Sequence, residues 1–370
     1  TPEELKSEFY RLACTFYVSP GNERTYVVLS GLNENMPAAV QLFEKLLADA
    51  QVNKEAYTNM TSDILKARSD AKLNQGQNFS RLMSFAMYGP KSPATNLLTE
   101  AELTNMNPQE LVDRIHNQNS YKHRILYYGP SSSKDLLATI NQYHQVPAAL
   151  KDIPAGNEYA YLETPVTKVL VAPYDAKQIY MAQISNLDKK YDPAIEPIRA
   201  LYDEYFGGGM NSIVFQEMRE TRGLAYSAWA SIMPPSYLKY PYVLRTQIAT
   251  QNDKMIDAVT TFNDIINNMP ESEAAFKLAK DGLTNRLRTE RIIKGDIIWS
   301  YINAQDLGQN VDPRIKLYND IQNMSLKDIV DFQKQWVKGR TYVYCILGDK
   351  KDLEPVSYTH LRAHETCADL

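Results

Sequence analysis

Arg219 and Tyr226, seven positions apart, bring a guanidinium fork and a phenolic hydroxyl into one short stretch. Both groups donate hydrogen bonds, and together they suit the oxygens of carbonyl or carboxylate groups. The stretch is residues 206–230, FGGGMNSIVFQEMRETRGLAYSAWA. Three glycines open it, a helix-patterned run follows, and Gly223 breaks that run before an extended segment beginning Leu224-Ala225-Tyr226. Ile213, Phe215 and Met218 give the run an apolar face, while Gln216, Glu217, Arg219 and Glu220 suit a wetter one. Arg219 at the helix end and Tyr226 after the break are thereby expected on one edge, where a strand begins. By residue type alone, the pair fits equally an ion-pairing surface arginine and a half-buried strand tyrosine. Gly207-Gly208-Gly209 before a helix offers amides to an anion. Without Lys-Ser/Thr at Walker spacing, it reads instead as a flexible turn that positions the helix of Arg219.

The elements around this stretch form a pattern. Residues 3–12 read as helix, and 15–30 as two strands around Pro20-Gly21-Asn22. An amphipathic helix spans 36–50, with Val40, Phe43, Leu46 and Leu47 on one face. A long helical region from 54 to about 86 is interrupted near Gly76. Thr99-x-x-Glu102 and Asn107-Pro108-x-Glu110 open two more helices. Residues 124–128 read as a short apolar strand ending at Gly129, followed by a helix over 134–143. Residues 146–165 hold Pro147, Pro154 and Pro165 without a clear period and read as a linker. Beyond it come strands at 168–172 and 179–184, a helix over 193–206, a strand at 240–250 and a helix over 254–268. A long helical region over 271–307 is interrupted near Gly295. Ser325-x-x-Asp328 then caps a helix running through Trp336, and a strand at 342–347 ends at Gly348.

The second half repeats the first. Asn105-Met106 with Leu111-Val112-Asp113 matches Asn323-Met324 with Ile329-Val330-Asp331, at offsets of 216 to 219 residues across this match and the next four. Gly129 matches Gly348, Lys134-Asp135-Leu136 matches Lys351-Asp352-Leu353, Leu65 matches Leu283, and Tyr26-Val27 matches Tyr242-Val243. A duplicated α/β unit is implied, since solenoid periods are far shorter. Leu224-Ala225-Tyr226 falls on Leu12-Ala13-Cys14, with Ser7 in place of the arginine, so the Arg–Tyr pair belongs to the second copy alone. The second copy starts near Val166, whereas Thr1 falls close to the position of Arg219. The first copy is therefore expected to lack roughly its first 50 residues. Thr1-Pro2-Glu3-Glu4, with its helix-start chemistry, agrees that the sequence is a fragment.

The chain has 370 residues and 44% hydrophobic composition, enough for two cores. Its net charge of −4 argues against nucleic acid or an anionic membrane as the main partner. No apolar run approaches the ~20 residues that span a bilayer. Cys14, Cys345 and Cys367 give neither a disulfide framework nor metal spacing, and sparse cysteine suits cytosol and periplasm alike.

The Arg219-(six residues)-Tyr226 spacing within RxxxGLAYS, set in this duplicated layout, resembles the carboxyl-terminal half of the M16 metallopeptidases, the insulinase and pitrilysin-like family. The resemblance covers nearly everything from Thr1 to about Leu353. It implies an α+β fold of two tandem homologous domains, each an antiparallel-rich sheet with helices on one face. Their expected limits are 1–145, a degenerate N-truncated copy, and 166–354, with 146–165 linking them and 355–370 a non-native tail that reads like vector sequence. It also implies the second half of a clamshell zinc endopeptidase that encloses unfolded peptides and is inactive alone. Tyr226 would donate to the oxygen that becomes negative, and Arg219 would hold neighbouring substrate carbonyl or carboxylate groups. Zinc, general base and attacking water would belong to an N-terminal half or a zinc-bearing partner subunit. A non-catalytic scaffold on the same fold is the rival reading.

The family's zinc motif, His-x-x-Glu-His on a helix with a later glutamate, has no counterpart among the five histidines. His116, His123 and His144 lack a partner at helical spacing and read as surface or half-buried polar residues. His360 and His364 are followed by Glu365 in the wrong order. Where the first copy would need the distal carboxylate, the sequence reads Ile64-Leu65-Lys66-Ala67-Arg68, with Asp63 and Asp70 on other turns. A lysine ammonium there would repel zinc. No metal ligand or resident cofactor is therefore expected in this chain.

Overall fold

The computed structural model describes residues 1–21, 23–349 and 364–367, and it divides into two compact units. Unit 1 comprises Thr1–Ser69 and Leu97–Glu158; unit 2 comprises Asp70–Asn96 and Tyr159–Leu370.

In unit 1, helix Pro2–Arg11 starts in a capping box between Thr1 and Glu4. It leads into an antiparallel hairpin of β1 (Cys14–Pro20) and β2 (Thr25–Gly31). Helices Met36–Ala48, Glu100–Asn105, Gln109–Asn117 and Ser133–Tyr143 follow. The Thr99–Glu102 capping box forms as its spacing requires. Phe9, Cys14 and Ala39 centre a small core with Phe16, Leu29 and Phe43. The strand expected at 124–128 does not form: these residues are irregular, and Ile125, Leu126 and Tyr128 are exposed. A strand needs neighbours for its backbone groups. Among the described residues of unit 1, the hairpin is the whole sheet.

Unit 2 is built on a six-stranded sheet in the order β5-β6-β4-β7-β3-β8. Its strands are β3 (Lys168–Pro173), β4 (Gln178–Lys190), β5 (Ser227–Met233), β6 (Pro241–Gln251), β7 (Val343–Gly348) and β8 (His364–Cys367). β5, β6, β4 and β7 pair antiparallel, while β3 runs parallel to both β7 and β8. The sheet is thus antiparallel-rich, and the mixed α/β architecture stands as expected. Most of the expected tail, with His360, lies outside the described residues.

Helices Glu196–Phe206, Met255–Asn267, Glu273–Thr289 and Leu326–Trp336 cover one face and enclose the main core around Tyr202, Phe206, Tyr242, Phe262 and Ile346. The other face of β3, β4 and β7 is covered by helix Gln75–Tyr88, whose Phe79, Leu82, Met83 and Ala86 pack on Leu170, Ile184, Cys345 and Leu347. Residues 70–96 thus join unit 2, although in sequence they fall within the first expected domain. The duplication is visible in the element order. Helix, hairpin and five helices run from 2 to 117, and the same series runs from 213 to 336.

Candidate functional site

Helix Ile213–Phe215 is capped by Ser212 Oγ, which accepts from the Phe215 amide at 3.4 Å. It continues as a π-helical turn, Gln216–Thr221. Such turns are rare and gather at functional sites, because the extra residue re-aims side chains. Ile213, Val214 and Met218 are buried in the core, so the turn throws Glu217, Arg219 and Glu220 outward.

Gly223, at φ +56°, reverses the chain, a conformation that costs a side-chain-bearing residue steric energy. The Leu224 and Ala225 amides then both donate to the Met218 carbonyl, at 2.8 and 3.3 Å. Thr250 Oγ1 donates to the Leu224 carbonyl at 2.6 Å, and Lys254 Nζ to that of Gly223 at 3.0 Å. The Tyr226 amide donates to the Ala249 carbonyl at 2.9 Å, where the chain enters β5. Tyr226 therefore has a fixed backbone and an outward side chain, the residue being 72% exposed.

The expected convergence is present. The Arg219 guanidinium carbon lies 5.6 Å from the Tyr226 ring centre and 5.0 Å from that of Phe215. Both distances are within cation–π range. Phe215, counted by period with the core, is half-buried and is instead the second ring within reach of the guanidinium. Its repeat period could not show this, because the π turn shifts the phase and Val214 fills the core position. The ion pair of Arg219 with Glu220 is long, at 3.7 Å, and exposed. Contacts of that kind contribute little, so the guanidinium fork keeps donors available.

The triple glycine is not a free anion cradle. The Gly207 and Gly208 amides both donate to the Asp203 carbonyl, at 3.0 and 2.7 Å. A Cβ at Gly207 would lie 2.3 Å from the Ala230 carbonyl oxygen, so glycine is needed for helix Glu196–Phe206 to end against β5. Beneath that junction Arg199 binds Glu196 and Asp203, and Asp203 accepts from Ser231 Oγ and the Ile232 amide. Burial pushes the Asp203 carboxyl up to about 6, against the pull of Arg199 and these donors.

In unit 1 the matching place holds Cys14, which is buried, its thiol donating to the Leu12 carbonyl at 3.2 Å. Among the described residues no group of three His, Cys, Asp or Glu side chains is placed to hold a metal. No helix there is long and apolar enough to cross a membrane.

Residues 125–283 match the family model for the peptidase M16 inactive domain. The non-peptidase homolog YmxG of Helicobacter pylori is 27% identical over 216 residues, 55% of this chain and 48% of that protein. The chain thus spans about half the length of the curated relative it matches. The crystal structure of a peptidase M16 inactive domain from Pseudomonas fluorescens superposes with a TM-score of 0.70 at 15% identity, covering 94% of this chain and 83% of that one. The periplasmic protease PqqL from Escherichia coli gives 0.68 at 13% identity, with 94% of this chain covering 39% of that chain.

Proposed function

We propose, from a chain that belongs to the M16 peptidase family through its inactive domain, that it is the non-zinc half of a zinc endopeptidase. In this reading it closes a peptide-binding chamber and lends Arg219 and Tyr226 to the active site. The observation that carries it is the Phe215–Arg219–Tyr226 stack on a fixed backbone, with an outward hydroxyl and a guanidinium whose donors are available.

Residues that could hold the catalytic metal are not found together among those described. In this reading the metal would be held by another half of the polypeptide or by a partner subunit. The role of this chain is charge stabilisation and positioning. As a scissile carbonyl becomes tetrahedral, its oxygen gains negative charge, and the Tyr226 hydroxyl donates a hydrogen bond that strengthens with that charge. Arg219, in cation–π range of both rings, offers its planar fork to neighbouring substrate carbonyl or carboxylate groups. Stacking limits the rotamers open to the guanidinium, so less freedom is lost when substrate arrives.

The test is Tyr226→Phe in the protein that carries this chain together with its zinc-bearing half. Losing one such donor reduces turnover by ~10²–10³, with peptide affinity retained. Unchanged turnover would sink the assignment. A second reading, a non-catalytic scaffold, is favoured by the relative named a non-peptidase homolog. It predicts no peptide cleavage by the assembled protein and no chelator-sensitive activity.

A further inference from the structure

Unit 1 holds a polar cluster that shares no residue with the Arg219 site. Glu44 lies on helix Met36–Ala48, His144 directly follows helix Ser133–Tyr143, and His123 lies in the irregular segment after Ser120. His144 Nδ1 is 2.6 Å from Glu44 Oε1, and His123 Nδ1 is 2.7 Å from the Tyr121 carbonyl oxygen. The two Nε2 atoms face each other at 2.8 Å. Asn119 Nδ2 donates to the second Glu44 oxygen at 2.9 Å, so both carboxylate oxygens are engaged.

Counting protons along this chain leaves a deficit. A backbone carbonyl only accepts, so His123 Nδ1 carries its hydrogen. An ionised carboxylate only accepts, so His144 Nδ1 carries one too. Each neutral imidazole then presents a bare lone pair at Nε2, and two lone pairs 2.8 Å apart repel. A positive centre between the rings removes the conflict: either one added proton or a metal cation.

The surroundings match those of metal-binding histidines, whose second nitrogen typically donates to a carboxylate or a backbone carbonyl. We propose that His123 and His144 are Nε2 ligands of a borderline divalent cation of the zinc class, oriented by Glu44 and the Tyr121 carbonyl. Imidazole donors favour such an ion over calcium or magnesium. Zn–N bonds of about 2.0–2.1 Å at a tetrahedral angle set the two nitrogens about 3.3 Å apart, so the rings part by about half an ångström. His123, exposed on an irregular segment, supplies that movement, and its open side leaves the remaining positions to water. The charged side chains within five residues of Glu44, His123 and His144 are Lys45, Asp49, Lys122 and Arg124, with His116 seven away. Lys122 is engaged by Asp152, and His116 by the Ala50 carbonyl.

The test is calorimetric titration of the untagged chain with Zn²⁺ alone, in a background where His360→Ala and His364→Ala remove the tail imidazoles. One ion per chain is expected. His123→Gln should weaken binding at least tenfold, and Glu44→Gln about 10–100-fold, each with the parent circular dichroism spectrum. His123 is exposed, so that variant is expected to fold. No saturable uptake by the parent would overturn the proposal, leaving a shared proton between the rings. Unchanged affinity in His123→Gln would overturn it equally, by placing any bound ion elsewhere.

Discussion

Replacing Arg199 by leucine should cost unit 2 about 4 kcal/mol at neutral pH, with a characteristic pH dependence. The Arg199 side chain is only 12% exposed. It donates to Glu196 at 2.9 Å, to Asp203 at 2.8 Å and to the Ile232 carbonyl at 3.1 Å. Arg199→Leu keeps much of the volume but leaves two carboxylates without their cation. Removing one partner of a buried ion pair costs about 3–5 kcal/mol, because the remaining charge stays desolvated. Asp203 already sits at about 6, above its ordinary 3.8, chiefly through burial. Without Arg199 its carboxyl rises further. A folded state that holds a proton the unfolded chain has released gains stability as pH falls through the folded value. The penalty is therefore larger at pH 7.5 than at pH 5. Urea unfolding at both values, followed by tryptophan fluorescence, measures it. A cost below about 1 kcal/mol at pH 7.5, or one that grows toward pH 5, would refute the reasoning. The same clamp fastens β5 at Ser231 and Ile232, the strand that Tyr226 leads into.

Three further outcomes follow from the same geometry. Gly207→Ala places a Cβ 2.3 Å from the Ala230 carbonyl and should destabilise by about 1–3 kcal/mol in urea titration. Tyr226→Phe, at a 72% exposed position, should leave thermal stability within about 0.5 kcal/mol, so that any loss of turnover in the proposed endopeptidase is a loss of chemistry. Cys345 is fully buried, and burial pushes its thiol well up. It should react with a thiol reagent only after unfolding, as peptide mapping of native and denatured samples would show.

How much was legible in the sequence depended on how local each signal is. The Arg219–Tyr226 convergence lies within eight residues, and Gly223 and the strand start decide it, so spacing sufficed. Capping boxes at Thr99 and Ser325 are similarly short-range and form as their spacing requires. Phe215 was misplaced because one π turn shifts the helical phase, and no residue type announces such a turn. His123, His144 and Glu44 were unreadable as a group, since they lie 21 and 100 residues apart.

The sequence by itself determined the duplicated layout, the element order apart from the strand expected at 124–128, and the asymmetry between Tyr226 and Cys14. Periodicity and punctuation are properties of the chain, and each copy carries its own. Tertiary structure decided what covers what. The apolar face of helix Gln75–Tyr88 states that it must be buried but not against which sheet, and it packs on β3, β4 and β7. Residues 124–128 have strand composition, yet their matching segment β7 is a strand because β3 and β4 flank it, and 124–128 have no such neighbours among the described residues. Hydrogen-bond partners and packing surfaces are supplied by distant chain, and only the assembled fold names them.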